Sequence, residues 1–150
     1  MREEKFTRIL FSIVGVAIVG VALPTMLSFK AGAPDGRSGS PGDGGNTCTA
    51  CHGSTAVNMA GLVSTDIPGT GYVPGQTYNI TVSGDAGVTR YGFQAASEVT
   101  GGSKVGTFIA DAATNLTASG NITHDNSSID FSGTMASWTF QWTAPTAGTG

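Results

Sequence analysis

The chain has 150 residues, room for one leader and one domain of about 100 residues with a real core. Charged residues make up only 11%, glycine contributes 23 residues and the net charge is −3, a balance typical of secreted all-β proteins rather than cytosolic enzymes or disordered tails. Residues 1–31 hold four of the seven basic residues and two of the ten acidic ones, so the remainder is acidic and lysine-poor, which excludes nucleic acid and anionic lipid as electrostatic partners.

The N-terminus reads as an export signal. Arg2, Lys5 and Arg8 precede a run from Ile9 to Leu27 that contains no charge, interrupted near its end by Pro24. The run is long enough to span a bilayer, so residues 1–31 are a signal peptide or, if uncleaved, an N-terminal anchor held through residues 9–27. Ala31-Gly32-Ala33 has the A-x-A form of a cleavage site, although Pro34 follows it directly. Either outcome places the rest of the chain outside the cytoplasm.

Residues 32–60 form the second region. Its first half, Gly32 to Thr47, is rich in Gly, Ser, Pro and Asp, and by composition is a flexible loop. Asp35 and Asp43 lack the spacing of a calcium loop and read as solvated turn residues. The glycines would also let backbone lie close against a flat ligand. The second half carries Cys48-Thr49-Ala50-Cys51-His52, which gathers both cysteines and one of the two histidines of the chain. C-x-x-C-H is the attachment signature of c-type haem. Each thiol adds across one vinyl group of the porphyrin, and the adjoining imidazole ligates the iron from the proximal side. Three other uses of the pair are weaker. A thioredoxin-type site needs a βαβ setting, which is absent around Cys48. A zinc site needs four ligands, and no second cysteine pair exists. A Cys48–Cys51 disulfide would close a tiny, strained loop. The expected cofactor is one covalent haem c, bound by Cys48 and Cys51 and ligated by His52.

From residue 61 to 150 the pattern is β. Gln76 to Ser83 places Tyr78, Ile80 and Val82 on one face and Thr77, Asn79 and Thr81 on the other. Arg90 to Val99 aligns Tyr91, Phe93 and Ala95. Lys104 to Ala110 is shorter, and Leu116, Ile122 and Ile129 mark further short segments between Asn, Ser, Gly and Asp. Ser137 to Thr143 alternates most clearly, with Trp138, Phe140 and Trp142 facing one way and Thr139 and Gln141 the other. No stretch after the leader has an apolar period of 3.6 residues. Short strands at this spacing predict an all-β sandwich or barrel, with the Trp/Phe/Trp stripe as its core. The four N-x-S/T sequons, at Asn79, Asn115, Asn121 and Asn126, reflect Thr/Ser-rich strands and turns rather than glycosylation.

C-x-x-C-H is followed by Gly71-Tyr72-Val73-Pro74-Gly75-Gln76-Thr77-Tyr78, then Arg90-Tyr91-Gly92-Phe93-Gln94, then Thr123-His124, then Trp138 to Pro145. This order resembles a bacterial surface-protein family that carries a reeler-like β-sandwich, the choice-of-anchor V domain. The likeness runs from about Ala33 to the end. It implies an immunoglobulin-like fold, an extracytoplasmic location and a C-terminal anchoring signal. In that family the segment matching Trp138 to Pro145 leads through a Gly-rich turn into a last strand. This chain stops at Gly148-Thr149-Gly150, so the resemblance implies a sandwich without its last strand and with one open edge.

A haem at His52 leaves a sixth iron position. His124, followed by Asp125, is the first candidate, because imidazole is a good low-spin ligand and a carboxylate or carbonyl can orient its second nitrogen. Met59 and Met135 are its rivals, and an open position is the remaining choice. G-x-S-x-G, H-E-x-x-H and P-loop motifs are all missing from the sequence. The expected function is therefore not enzymatic: an exported haem protein that transfers single electrons to a redox partner protein or a cell-surface component. An adhesive or structural surface domain and a haem-based ligand sensor are the alternatives.

Overall fold

The computed structural model describes residues 29–85, 91–125 and 135–149. Residues 1–28 of the leader and the expected segment at Ile129 lie outside the described residues, as does the side chain of Met135. Among the described residues, seven strands follow a short 3-10 turn, Pro41–Asp43, and one helical turn, α1 (Thr49–His52). They are β1 (Val63–Thr65), β2 (Thr77–Asp85), β3 (Gln94–Ala95), β4 (Thr107–Ile109), β5 (Thr114–Leu116), β6 (Ile122–His124) and β7 (Met135–Thr143). Two antiparallel sheets result, one in the order β1-β2-β7-β4 and the other β3-β6-β5. The all-β reading holds.

The long β2–β7 pair is the backbone of the first sheet. Its register sets Tyr78 opposite Trp142, Ile80 opposite Phe140 and Val82 opposite Trp138, so aromatic and β-branched partners share the inner face. Side chains alternate across a strand, so the intervening residues must point outward. There Thr77 meets Thr143 at 3.0 Å and Thr81 meets Thr139 at 2.8 Å, each pair bridged between hydroxyls.

Phe93 ties the second sheet to this core. Its ring stacks on Phe140 (5.6 Å, 6° between planes) and packs on Trp138 (5.0 Å), while Phe108 meets Phe140 edge-on at 5.6 Å. Such pairs add about 0.5–1.5 kcal/mol each beyond the area they bury. Ile122 of β6 is fully buried in the same cluster. Trp142 closes one end, where its Nε1–H donates to the Val105 carbonyl (3.4 Å) and Tyr72 approaches its ring edge-on. Gly106 permits this closure on two counts. Its φ is +66°, and a Cβ there would sit 2.4 Å from Trp142 Nε1.

Some elements differ from the sequence reading. The expected strand over Arg90–Val99 shrinks to β3, followed by a lone bridge between Glu98 and Lys104. Lys104–Ala110 shrinks to β4 for the same reason: Gly101, Gly102 and Gly106 all take positive φ, which breaks the ladder on either side. β1 has three exposed residues and no alternation to announce it.

The Gly-rich segment is docked rather than free. Ala33 N–H donates to Thr123 Oγ1 (3.0 Å), and Gln94 Nε2 donates to the Pro34 carbonyl (2.9 Å). Arg37 N–H donates to Gln94 Oε1, and the Ser119 amide and hydroxyl both donate to the Asp35 carboxylate. Further along, Ser40 Oγ (2.7 Å) and Gly42 N–H (2.9 Å) donate to the Glu98 carboxylate. Asn121 and Thr123 alternate with the core residue Ile122 along the chain, so the segment lies as a strap over the outward side of the second sheet.

Candidate functional site

Asp43 is the pin of the strap. Its side chain is only 3% exposed and accepts hydrogen bonds from Ser38 N–H and Oγ–H, from Asn121 Nδ2 (2.7 Å) and from Lys104 Nζ (3.3 Å). Lys104 Nζ also donates to Asn121 Oδ1 and lies 3.9 Å from Glu98. The sequence reading takes Asp43 for a solvated turn residue, whereas its partners lie up to 78 residues away. Burial pushes the carboxyl up, but the bonds from Ser38, Asn121 and Lys104 outweigh it and hold the carboxyl below its ordinary value. A depressed pKa contributes stability above the ordinary carboxylate range, and that contribution disappears as pH falls through the lower folded value. The strap is thus held at neutral pH and loses its pin only in acid, below the ordinary carboxylate range. Asp43→Ala strands the donors of Lys104 and Asn121 and is expected to cost about 2 kcal/mol, roughly 8 °C in Tm. Thermal melts at pH 7 and pH 3 check this, and the penalty should shrink at the lower pH.

Beyond the pin, the strap turns back on itself. Gly39 N–H donates to the Asn46 carbonyl at 2.8 Å, closing a loop around the 3-10 turn, and the chain then enters α1. Cys48 is the residue before this helical turn, and its carbonyl accepts from the amides of Cys51 (3.2 Å) and His52 (3.1 Å). Residues three and four apart share one face of a helix. Cys48, Cys51 and His52 therefore lie on a common face. Gly53, at φ +67°, ends the turn immediately after the histidine. Both thiols are free and exposed, as is His52. Every residue from Cys51 to Ala60 is exposed, including Val57 and Met59, the latter at 57%.

His124 sits elsewhere. It ends β6 and is 7% exposed, its ring tilted against Phe93. Nδ1 accepts the Phe93 amide N–H at 3.1 Å and lies 3.2 Å from the Phe93 carbonyl. With the amide bond made, Nδ1 is the acceptor and the ring proton resides on Nε2. Gly92 is packed so closely that a Cβ there would stand 2.5 Å from His124 Cε1. Among the described residues no group of three or more His, Cys, Asp or Glu forms a cluster able to hold a metal ion, so His124 is not assembled with the C-x-x-C-H residues into such a site. Comparison with family models, characterised proteins and solved structures finds no match. The site is accordingly argued from its own chemistry.

A covalent haem needs two thiols on one face, an imidazole next to them and apolar side chains to cover, and the free Cys48, Cys51, His52, Val57 and Met59 meet those needs. Arg37 Nε is buried without a hydrogen-bond partner among the described residues. A cleft of about 190 Å³ beside Lys104, Val105, Phe108 and Leu116 includes none of the C-x-x-C-H residues. Sequence reasoning missed Asp43, Asn121, Glu98 and Lys104 as the elements that place the motif. The one available signal was Lys104 itself, one of three basic residues after the leader.

Proposed function

We propose that this chain is an exported c-type haem protein that passes single electrons at the cell envelope, built on an immunoglobulin-like, reeler-like sandwich. The observation that carries the reading is the common exposed face of Cys48, Cys51 and His52, both thiols free and the helical turn closed by Gly53. When bound, the haem supplies a one-electron couple at its iron. Cys48 and Cys51 would hold it through thioether bonds, and His52 would offer a ring nitrogen to its iron. The strap fixes this turn to a rigid sheet through Asp43, which limits reorganisation at the site as charge changes.

For the sixth position Met59 now ranks ahead of His124. Its thioether is exposed seven residues after His52, a span of about 23 Å when extended, enough to pass around a porphyrin edge. His124 would have to surrender the Phe93 amide bond before Nε2 could offer a lone pair. Ferric holoprotein should show the near-infrared methionine-to-iron band, lost in Met59→Ala. A bis-histidine spectrum without that band restores His124.

Spectropotentiometry tests the function itself. A reversible one-electron wave, with no CO adduct in the ferrous form, supports electron transfer. Ready CO binding instead indicates a sensor with an open position. A second reading rests on the outward hydroxyl ladder of β2 and β7, an uncharged row suited to adhesion. Surface or glycan binding that survives Cys48→Ser/Cys51→Ser would favour it.

A further inference from the structure

We infer that Gly32 and Ala33 are part of the folded domain, so that any removal of the leader falls on the N-terminal side of Gly32; the inference rests on the export half of the reading above. The A-x-A form at Ala31-Gly32-Ala33 would instead make Pro34 the first residue of the processed chain. Two of those three positions are docked against the second sheet.

Exposure changes at one peptide bond. Phe29, Lys30 and Ala31 are exposed, whereas Gly32, Ala33 and Pro34 are half-buried. Gly32 has a φ of +111°, and a Cβ there would stand 2.8 Å from Thr123 Cγ2 and 3.2 Å from the His124 carbonyl oxygen. The strap thus meets the sheet through a position suited to glycine alone. One residue on, the Ala33 N–H donates to Thr123 Oγ1 at 3.0 Å, and that hydroxyl donates its own proton to the Phe93 carbonyl at 2.7 Å. Thr123 is 3% exposed, so the pair of bonds is formed away from water. Gln94 Nε2 faces the carbonyls of Pro34 (2.9 Å) and Ala33 (3.5 Å), while its Oε1 accepts the Arg37 N–H.

Cleavage after Ala33 would undo this end of the strap. It would remove the amide that bonds Thr123, and a lost buried hydrogen bond costs stability. It would also leave a charged chain end at Pro34 beside the Nε2 donor of Gln94, where a cation finds no acceptor. Proteolysis favours exposed, unpaired backbone, a description that fits residues 29–31 and not the docked pair. Ala31 is accordingly the C-terminal limit of the processing region.

N-terminal sequencing of protein recovered from the envelope of a bacterium expressing the full-length chain tests this. A first residue at Gly32 or earlier is expected, and any first residue beyond Gly32, Pro34 above all, overturns the inference. Hydrogen exchange resolved to single amides, on the full-length chain in detergent, gives an answer that does not depend on export. Relative to intrinsic rates, the Ala33 amide should exchange about tenfold more slowly than those of Lys30 and Ala31, and Gly32→Ala should erase the difference. Equal exchange at all three amides in the wild-type chain, or an unchanged pattern in Gly32→Ala, overturns the inference. A chain found only in the cytoplasm refutes the export reading instead, and the exchange comparison still decides where the domain begins.

Discussion

Cys48→Ser/Cys51→Ser is expected to abolish covalent haem completely while leaving the β-domain intact. The two effects separate because the motif hangs outside the core. Residues 51–60 are all exposed, and α1 is one turn with no buried residue. Exposed substitutions of this kind shift stability by no more than about 0.5 kcal/mol. The variant should therefore melt within a degree or two of the haem-free wild-type polypeptide, and its absorption spectrum should lack any haem band. A large loss of stability would mean that the thiols serve the fold, as a disulfide or a core contact would.

Phe140→Ala produces the opposite pattern. Phe140 is 2% exposed, faces Ile80 across the β2–β7 register, stacks on Phe93 and receives the edge of Phe108. Phe93 belongs to the segment leading into β3, so this ring, together with Trp138, joins the two sheets. Truncation removes a stacked contact between them and leaves a cavity, at an expected cost of about 3–5 kcal/mol. Small domains are stable by roughly 5–15 kcal/mol, so the variant should be marginal. Denaturant melts check the loss. Haem attached during export to the unfolded or partly folded chain should still be found on the motif, because that motif makes no use of the core. Should Phe140→Ala melt like wild type, the packing described between the sheets is not the source of stability.

Together these variants show what the sequence could and could not disclose. β7 was legible because Trp138, Phe140 and Trp142 are buried while Thr139 and Gln141 are exposed, an alternation written in adjacent residues. The C-x-x-C-H pattern was visible for the same reason, since it occupies five adjacent residues. The strap was not. Asp43 and Ser40 look like ordinary turn residues, and only the arrival of Asn121, Lys104 and Glu98 from 56 to 78 residues away converts the turn into a pinned element. Composition reports local flexibility and is silent about distant partners. The surroundings of His124 were equally hidden: the Phe93 backbone and the close approach of Gly92 enclose its ring, and neither is visible in the residues beside it in the chain. The sheet boundaries around β3 and β4 were over-long because glycines at positive φ end a strand where apolar alternation alone would continue it.

The central claim is that Cys48 and Cys51 carry a porphyrin. Intact-mass spectrometry of the native polypeptide, purified after export from cells that possess haem-attachment machinery, tests it most directly. The account predicts the polypeptide plus one porphyrin, with both cysteines resistant to thiol alkylation. A bare polypeptide mass with two alkylatable thiols would contradict it.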